Sequence, residues 1–252
     1  MSKSKRRFLA PGTLLVLALN VVLMLVGWVI ILLWSTNAIS VAIGTSIVAT
    51  GIASTVTYWN VTRNEETTNR LAILQEFGFV NAFERRGMVI QDEYNSRLLR
   101  ARHNIDVIGF GLASLLADYG DDFALWKERA HVRIMLIDPD FPNAAQSFAA
   151  QRELEEGIPK ASLRAEVEKF IATKGDLIGT SKHGSFEIRY YQCLPAVNIC
   201  RIDNDMLWGP YLSRQLSRNS PTFVVRRGGI LYEQLLDHFE RIWKDDKLSR
   251  PI

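Results

Sequence analysis

The chain has 252 residues, 48% of them hydrophobic and 23% charged, with 30 Lys and Arg against 27 Asp and Glu. A net charge of +3 is too small to argue for direct nucleic-acid binding. The average hides a split: from Phe8 to Trp59 there is no Lys, Arg, Asp, Glu or His, and the charges lie before or after that block.

In chain order, residues 1–12 form a basic segment with Lys3, Lys5, Arg6 and Arg7. Thr13–Trp34 is an apolar run of bilayer length whose one strongly polar member is Asn20. Helix is the conformation that pairs every backbone group within such a segment. It is too long for a signal-peptide core, and no small-residue cleavage site follows it. Ser35–Asn37 reads as a turn, and residues 38–59 as a second span closed by Tyr58 and Trp59. So short a connection predicts an antiparallel hairpin. The basic residues at its two ends, with Arg63 and Arg70 after the second span, place both termini in the cytoplasm of a two-span inner-membrane protein.

The second span is rich in small residues. Ala42 and Ser46, then Ala49 and Ala53, have small-xxx-small spacing, and Gly51 lies between them. With Asn20 these are the expected helix-packing positions, either within one chain or between copies assembling around a pore. The absence of ionisable side chains argues against a proton relay. Residues 60–76 are expected to be a linker or helical extension. The sequon Asn60-Val61-Thr62 falls on the cytoplasmic side and reads as chance.

Residues 77–252 read as one α/β domain with a mixed sheet. Strands are expected at 77–83, 104–110, 131–137, 186–192, 197–202, 206–208 and 222–225. Helices are expected at 89–102, 112–116, 122–129, 144–156, 162–174 and 230–243. Basic Arg85-Arg86 and Gly87 lie between the first strand and the first helix. Cys193 and Cys200 are expected to be free thiols, and neither a cofactor nor a metal site is indicated. Gly109-Phe110-Gly111 after a strand reads as a plain strand-to-helix turn, although such turns also hold anions.

The phrases NIDVIGF, VRIMLIDPD and FEIRYYQCLPAVNICRIDNDMLWGPY, followed by a last helix ending in Trp243, resemble the phospholipase D-like fold in their order. Active members of that superfamily carry H-x-K-x4-D: the histidine attacks phosphorus, the lysine binds phosphoryl oxygens and the aspartate orients the histidine. Here Ala196 and Asn198 stand in the first two places and Asp203 in the third. Alanine is no nucleophile and asparagine neutralises no phosphate, so the resemblance implies the fold and argues against catalysis. His131-x-Arg133 to Asp138 mimics the spacing on an earlier strand, where family members have no motif, and arginine does not replace a positioned lysine.

Strand ends and turns around Asp138, Asn198, Arg201 and Asp203 form the candidate ligand pocket, because α/β sheets bind ligands at strand termini. The overall plan also resembles two-span membrane effectors of bacterial anti-phage systems, including those encoded beside retron reverse transcriptases. That resemblance implies abortive infection by membrane disruption. Its partners would be the lipid bilayer, further copies of the chain, and a regulator such as a reverse transcriptase–RNA complex or a nucleotide signal. Two other readings stay open. One is a phospholipase D-class phosphodiesterase or nuclease using His131 or His183, and the other is a non-toxic signalling adaptor.

Overall fold

The structure is a computed structural model and describes residues 11–85, 88–194 and 196–252. The basic residues Lys3, Lys5, Arg6 and Arg7, together with Arg86 and Gly87, lie outside the described residues. The chain divides into two compact units, residues 1–72 and 73–252.

The first unit is a helical hairpin of α1 (Pro11–Leu33) and the membrane-length part of α2 (Ala38–Glu76). Stretches Leu15–Leu33 and Ala38–Val61 are long and apolar enough to cross a membrane, with mean hydropathies of 2.9 and 1.7, and only 11% of each is buried. Asn37 starts α2: its Oδ1 accepts the backbone N–H of Ile39 at 3.0 Å, satisfying one of the unpaired donors of a helix N-terminus. No proline interrupts residues 38–76, and the helix continues through the segment expected to be a linker or helical extension.

The seam between the helices is built from glycine. A Cβ on Gly44 would lie 2.7 Å from the Gly27 carbonyl oxygen and 2.6 Å from Ile31 Cγ1. A Cβ on Gly51 would lie 2.6 Å from Met24 Cγ. Asn20, Gly27, Gly44 and Gly51 are buried in this seam. Of the positions expected to pack, Asn20 and Gly51 do so within the hairpin, whereas Ala42, Ser46, Ala49 and Ala53 are exposed. A helix turns about 100° per residue, so a stripe displaced by two positions from Gly44, Val48 and Gly51 points nearly the opposite way.

The second unit is a nine-stranded mixed sheet with helices on both faces. In chain order its elements are β1 (Phe79–Phe83), α3 (Met88–Leu98), β2 (Asn104–Gly109), α4 (Ala113–Tyr119), α5 (Phe123–Lys127) and β3 (His131–Ile137). Then come α6 (Phe148–Glu156), α7 (Ser162–Lys174), β4 (Gly179–Thr180), β5 (Ser185–Tyr191), β6 (Val197–Ile202), β7 (Asp205–Pro210), β8 (Thr222–Arg226), α8 (Ile230–Lys244) and β9 (Ser249–Pro251). The strand order is β1-β8-β7-β6-β2-β3-β5-β4, with β9 also pairing β5. β2, β3 and β5 run parallel, and β6 is antiparallel to β2.

Most differences from expectation are at element ends. β1 starts two residues late because Gly78, at φ +81°, turns the chain before it. α3 stops at Leu98, four residues early. α6 starts at Phe148, where Ser147 Oγ accepts the N–H of Ala150 at 3.1 Å.

On one sheet face, Phe123 packs against Trp126, Phe170 and Phe186 with ring centroids 4.7–5.8 Å apart. The other face, under α8, carries a row of charge. Arg201, Asp106 and Arg133 are direct cross-strand partners on β6, β2 and β3. Asp106, fully buried, accepts from Arg133 Nε and from an Arg201 terminal nitrogen at 2.7 Å each. Arg133 also pairs with Glu240 at 2.6 Å and lies over the rings of Phe239 and Trp243. Burial pulls the Arg133 pKa down, but the Asp106 and Glu240 hydrogen bonds outweigh it and hold the guanidinium charged.

Candidate functional site

The C-terminal ends of β2 and β3 and the N-terminal end of β6 meet where the sheet changes from parallel to antiparallel, the place where α/β sheets open a crevice. A cavity of about 320 Å³ lies there. The Gly109-Phe110-Gly111 turn forms one wall. A Cβ on Gly111 would meet Glu166 Oε2 at 2.3 Å and its Cβ at 2.5 Å, so glycine lets α7 press against the turn. Phe110 and Tyr211 pack with ring centroids 4.4 Å apart.

Leu216, Ser217 and Arg218 line another side, at the end of a stretch that is tied down from α6. Buried Arg152 donates to the carbonyls of Leu212 and Gln215 at 3.0 and 2.8 Å and pairs with Glu156. Glu156 in turn accepts from the backbone N–H and hydroxyl of Ser217. Half-buried Glu166 faces the same space. Burial, then the neighbouring charges of Glu156 and Glu153, push its carboxyl above the ordinary glutamate range.

Of Ala196, Asn198 and Asp203, the three positions compared with the H-x-K-x4-D motif, only Asn198 lines this cavity. Its Nδ2 donates to the Gly209 carbonyl at 3.0 Å. Ala196 is exposed, just before β6, and Asp203 lies at the far end of that strand. There its carboxylate accepts three successive backbone N–H groups, from Arg102, His103 and Asn104, at 2.8–2.9 Å. That work fastens the entry of β2 to the β6–β7 turn.

The four candidate pocket residues therefore do not form one site. Asn198 is at one end of β6, and Arg201 and Asp203 are at the other. Asp138 lines neither concavity: buried at the exit of β3, it accepts from Gln192 at 2.8 Å and Arg250 at 3.0 Å and so clasps the C-terminal strand. At strand rise, three residues put Arg201 about 10 Å from Asn198 along β6, so the two cannot both face the crevice end. Arg152, Glu156, Glu166 and Tyr211 shape the cavity, and only their neighbours in space reveal it. No disulfide joins Cys193 and Cys200.

A second depression, of about 500 Å³, opens at the opposite strand ends and is lined by Arg102, His103, His131, His183, Arg201 and Arg227 together with Asp203 and two asparagines. Both histidines considered as nucleophiles lie in it, with a third beside them. His131 Nδ1 is 3.0 Å from Ser185 Oγ. The apparent motif from His131 to Asp138 spans the whole of β3, about 23 Å at strand rise, so its ends cannot act together. Among the described residues no cluster of His, Cys, Asp and Glu is placed to hold a metal ion.

A family described as a domain of unknown function, DUF5919, matches residues 79–249. No curated protein matches the chain. Among solved structures, that of TrmBL2, an archaeal chromatin protein with a novel mode of DNA binding, is similar to this chain at 11% identity and a TM-score of 0.43. The likeness covers 82% of this chain and 70% of that one, and at that score it carries no argument.

Proposed function

The chain belongs to the DUF5919 family, and from that premise we propose that it is a bacterial inner-membrane effector of the abortive-infection kind, of the type found beside retrons, whose cytoplasmic domain restrains a membrane-disrupting hairpin. In this reading the domain is a phospholipase D-like fold converted from catalysis to control. The observation that carries it is the hairpin itself. Its inner seam is closed by Gly27, Gly44 and Gly51, while Ala42, Ser46, Ala49 and Ala53 form a second small-residue stripe that no part of the hairpin covers. In lipid, small residues let helix backbones approach, and such a stripe suits assembly between copies. The hydroxyl of Ser46 bonds back to the Ala42 carbonyl at 2.9 Å, which keeps this face compatible with hydrocarbon until a neighbour arrives.

In this reading both termini lie in the cytoplasm, and the regulator would be a protein–RNA complex or a soluble signal acting on the sheet domain. Induced expression with a potential-sensitive dye tests the reading. The parent is expected to depolarise cells when triggered, and Ala49→Leu on the outer stripe to abolish that at equal membrane abundance. Intact potential and growth under every trigger, or an Ala49→Leu variant as toxic as the parent, would refute it.

A phosphodiesterase is the second reading, favoured by the meeting of His131 and His183 in one basic depression. Against it, the only carboxylate lining that depression among the described residues, Asp203, already accepts three backbone N–H groups. Loss of phenotype together with loss of phosphodiester turnover in His131→Ala would favour the enzyme over the effector.

A further inference from the structure

We propose that the depression at the N-terminal ends of β2 and β3 binds a soluble anion carrying two or more phosphoryl groups. This does not depend on what the hairpin does in the membrane.

Four separate stretches of chain build the depression. Arg102 and His103 enter β2, His131 starts β3, His183 precedes β5, and Arg201 to Asn204 turn from β6 into β7. Arg227, just past β8, joins them through its N–H to the Asn204 carbonyl at 2.8 Å. Backbone bonds hold the arrangement: His131 N–H donates to the His103 carbonyl at 2.8 Å, and Asp203 N–H to the Asn104 carbonyl at 2.9 Å. Three of the four histidines of the chain thus meet in a place where sheet pairing, not sequence proximity, brings them.

The electrostatics are one-sided. Arg201 is engaged with Asp106, but neither Arg102 nor Arg227 has a carboxylate partner among the described residues. Three backbone N–H groups converge on Asp203, the one acid lining the depression among the described residues, and offset its charge from within. What remains toward solvent is two guanidinium groups without a carboxylate partner among the described residues, and three imidazoles. Guanidinium groups bind phosphoryl oxygens through paired hydrogen bonds, a geometry that a halide cannot use.

The breadth of the row selects a polyanion. β6, β2, β3 and β5 are successive neighbours about 4.8 Å apart, so the row from Arg201 to His183 spans roughly 15 Å. One phosphate cannot touch both sides of such a row, whereas a chain of phosphoryl groups can.

The test uses full-length protein in detergent, with inorganic tripolyphosphate as probe and calorimetric titration as readout. Saturable one-to-one binding is expected, weakening with added salt. Arg102→Ala with Arg227→Ala should weaken it about tenfold or more, because each change removes a charged hydrogen-bond donor. Both residues sit at the surface, so the double variant should keep the parent's melting temperature. Glu166→Gln, at the other end of the strands, should bind as the parent does. Competition by nucleoside triphosphate identifies a soluble ligand. Binding seen only with phosphatidylglycerol vesicles or only with single-stranded RNA, and not with tripolyphosphate, would overturn the proposal. So would equal affinity in the parent and a folded double variant.

Discussion

In the hairpin, Gly27 and Gly44 bring two helix backbones into contact, whereas in the sheet domain Phe123, Trp126, Phe170 and Phe186 hold helices to the sheet by filling space. On the proposed membrane reading, solvent explains the contrast. Around the sheet domain, water drives apolar surface together, so large side chains stabilise. In a bilayer, lipid tails are as apolar as leucine, and helices associate through close packing and a few polar contacts. The same substitution should therefore have opposite consequences in the two regions. Polar groups divide in the same way. Asp106 is buried but paired twice, while Asn20 Nδ2 is buried in the hairpin with no hydrogen-bond partner among the described residues.

The largest expected effect that would sharpen this contrast is in the sheet domain. Asp106→Ala leaves Arg133 and Arg201 buried without their shared partner, and should cost about 3–5 kcal/mol of stability. Urea unfolding of the detergent-solubilised protein measures it, and a loss below about 1 kcal/mol would mean that the two arginines find other partners.

A smaller effect is expected in the hairpin, where adding volume should do the damage. Gly44→Leu forces the new side chain into Ile31 and the Gly27 backbone, at roughly 1–3 kcal/mol for an overpacked contact. Cysteine cross-linking between α1 and α2 in bilayers should drop for Gly44→Leu and stay at the parent's level for exposed Ala49→Leu. If both variants cross-link like the parent, the glycine seam is not what closes the hairpin.

The smallest effect concerns Glu166. Its carboxyl is held above the ordinary range by burial, so the folded state favours the proton. The stability this contributes is fully present below the unfolded pKa, about 4.3, and is lost as pH rises through the raised folded value. Glu166→Gln is permanently neutral. It should melt with the parent near pH 4 and above it at pH 7.5. A parent that melts higher at pH 7.5 would show that the ionised carboxylate is used in the fold.

Much of the domain was legible from periodicity. The strands His131–Ile137 and Val197–Ile202 and the helix Ser162–Lys174 lie where the alternation and helical spacing put them. β4 and β9, of two and three residues, carry no pattern and exist only because the edge of β5 pairs with them. The small-residue spacing on α2 was visible too, but not which side of the helix would meet α1. Ala42 and Ser46 share that spacing with Gly44 and Val48, and only the closest approach of backbones chose the glycine face.

The amino-acid sequence by itself determined the two uncharged helices of membrane length and the mixed α/β character of the remainder. These depend on local composition and on repeats of two or of about 3.6 residues. Only the tertiary structure decided that Asn198 and Asp203 would lie at opposite strand ends and that His103, His131 and His183 would share one depression. Strand pairing makes neighbours of groups a hundred positions apart, as with His103 and Asp203, and no short-range pattern encodes that register.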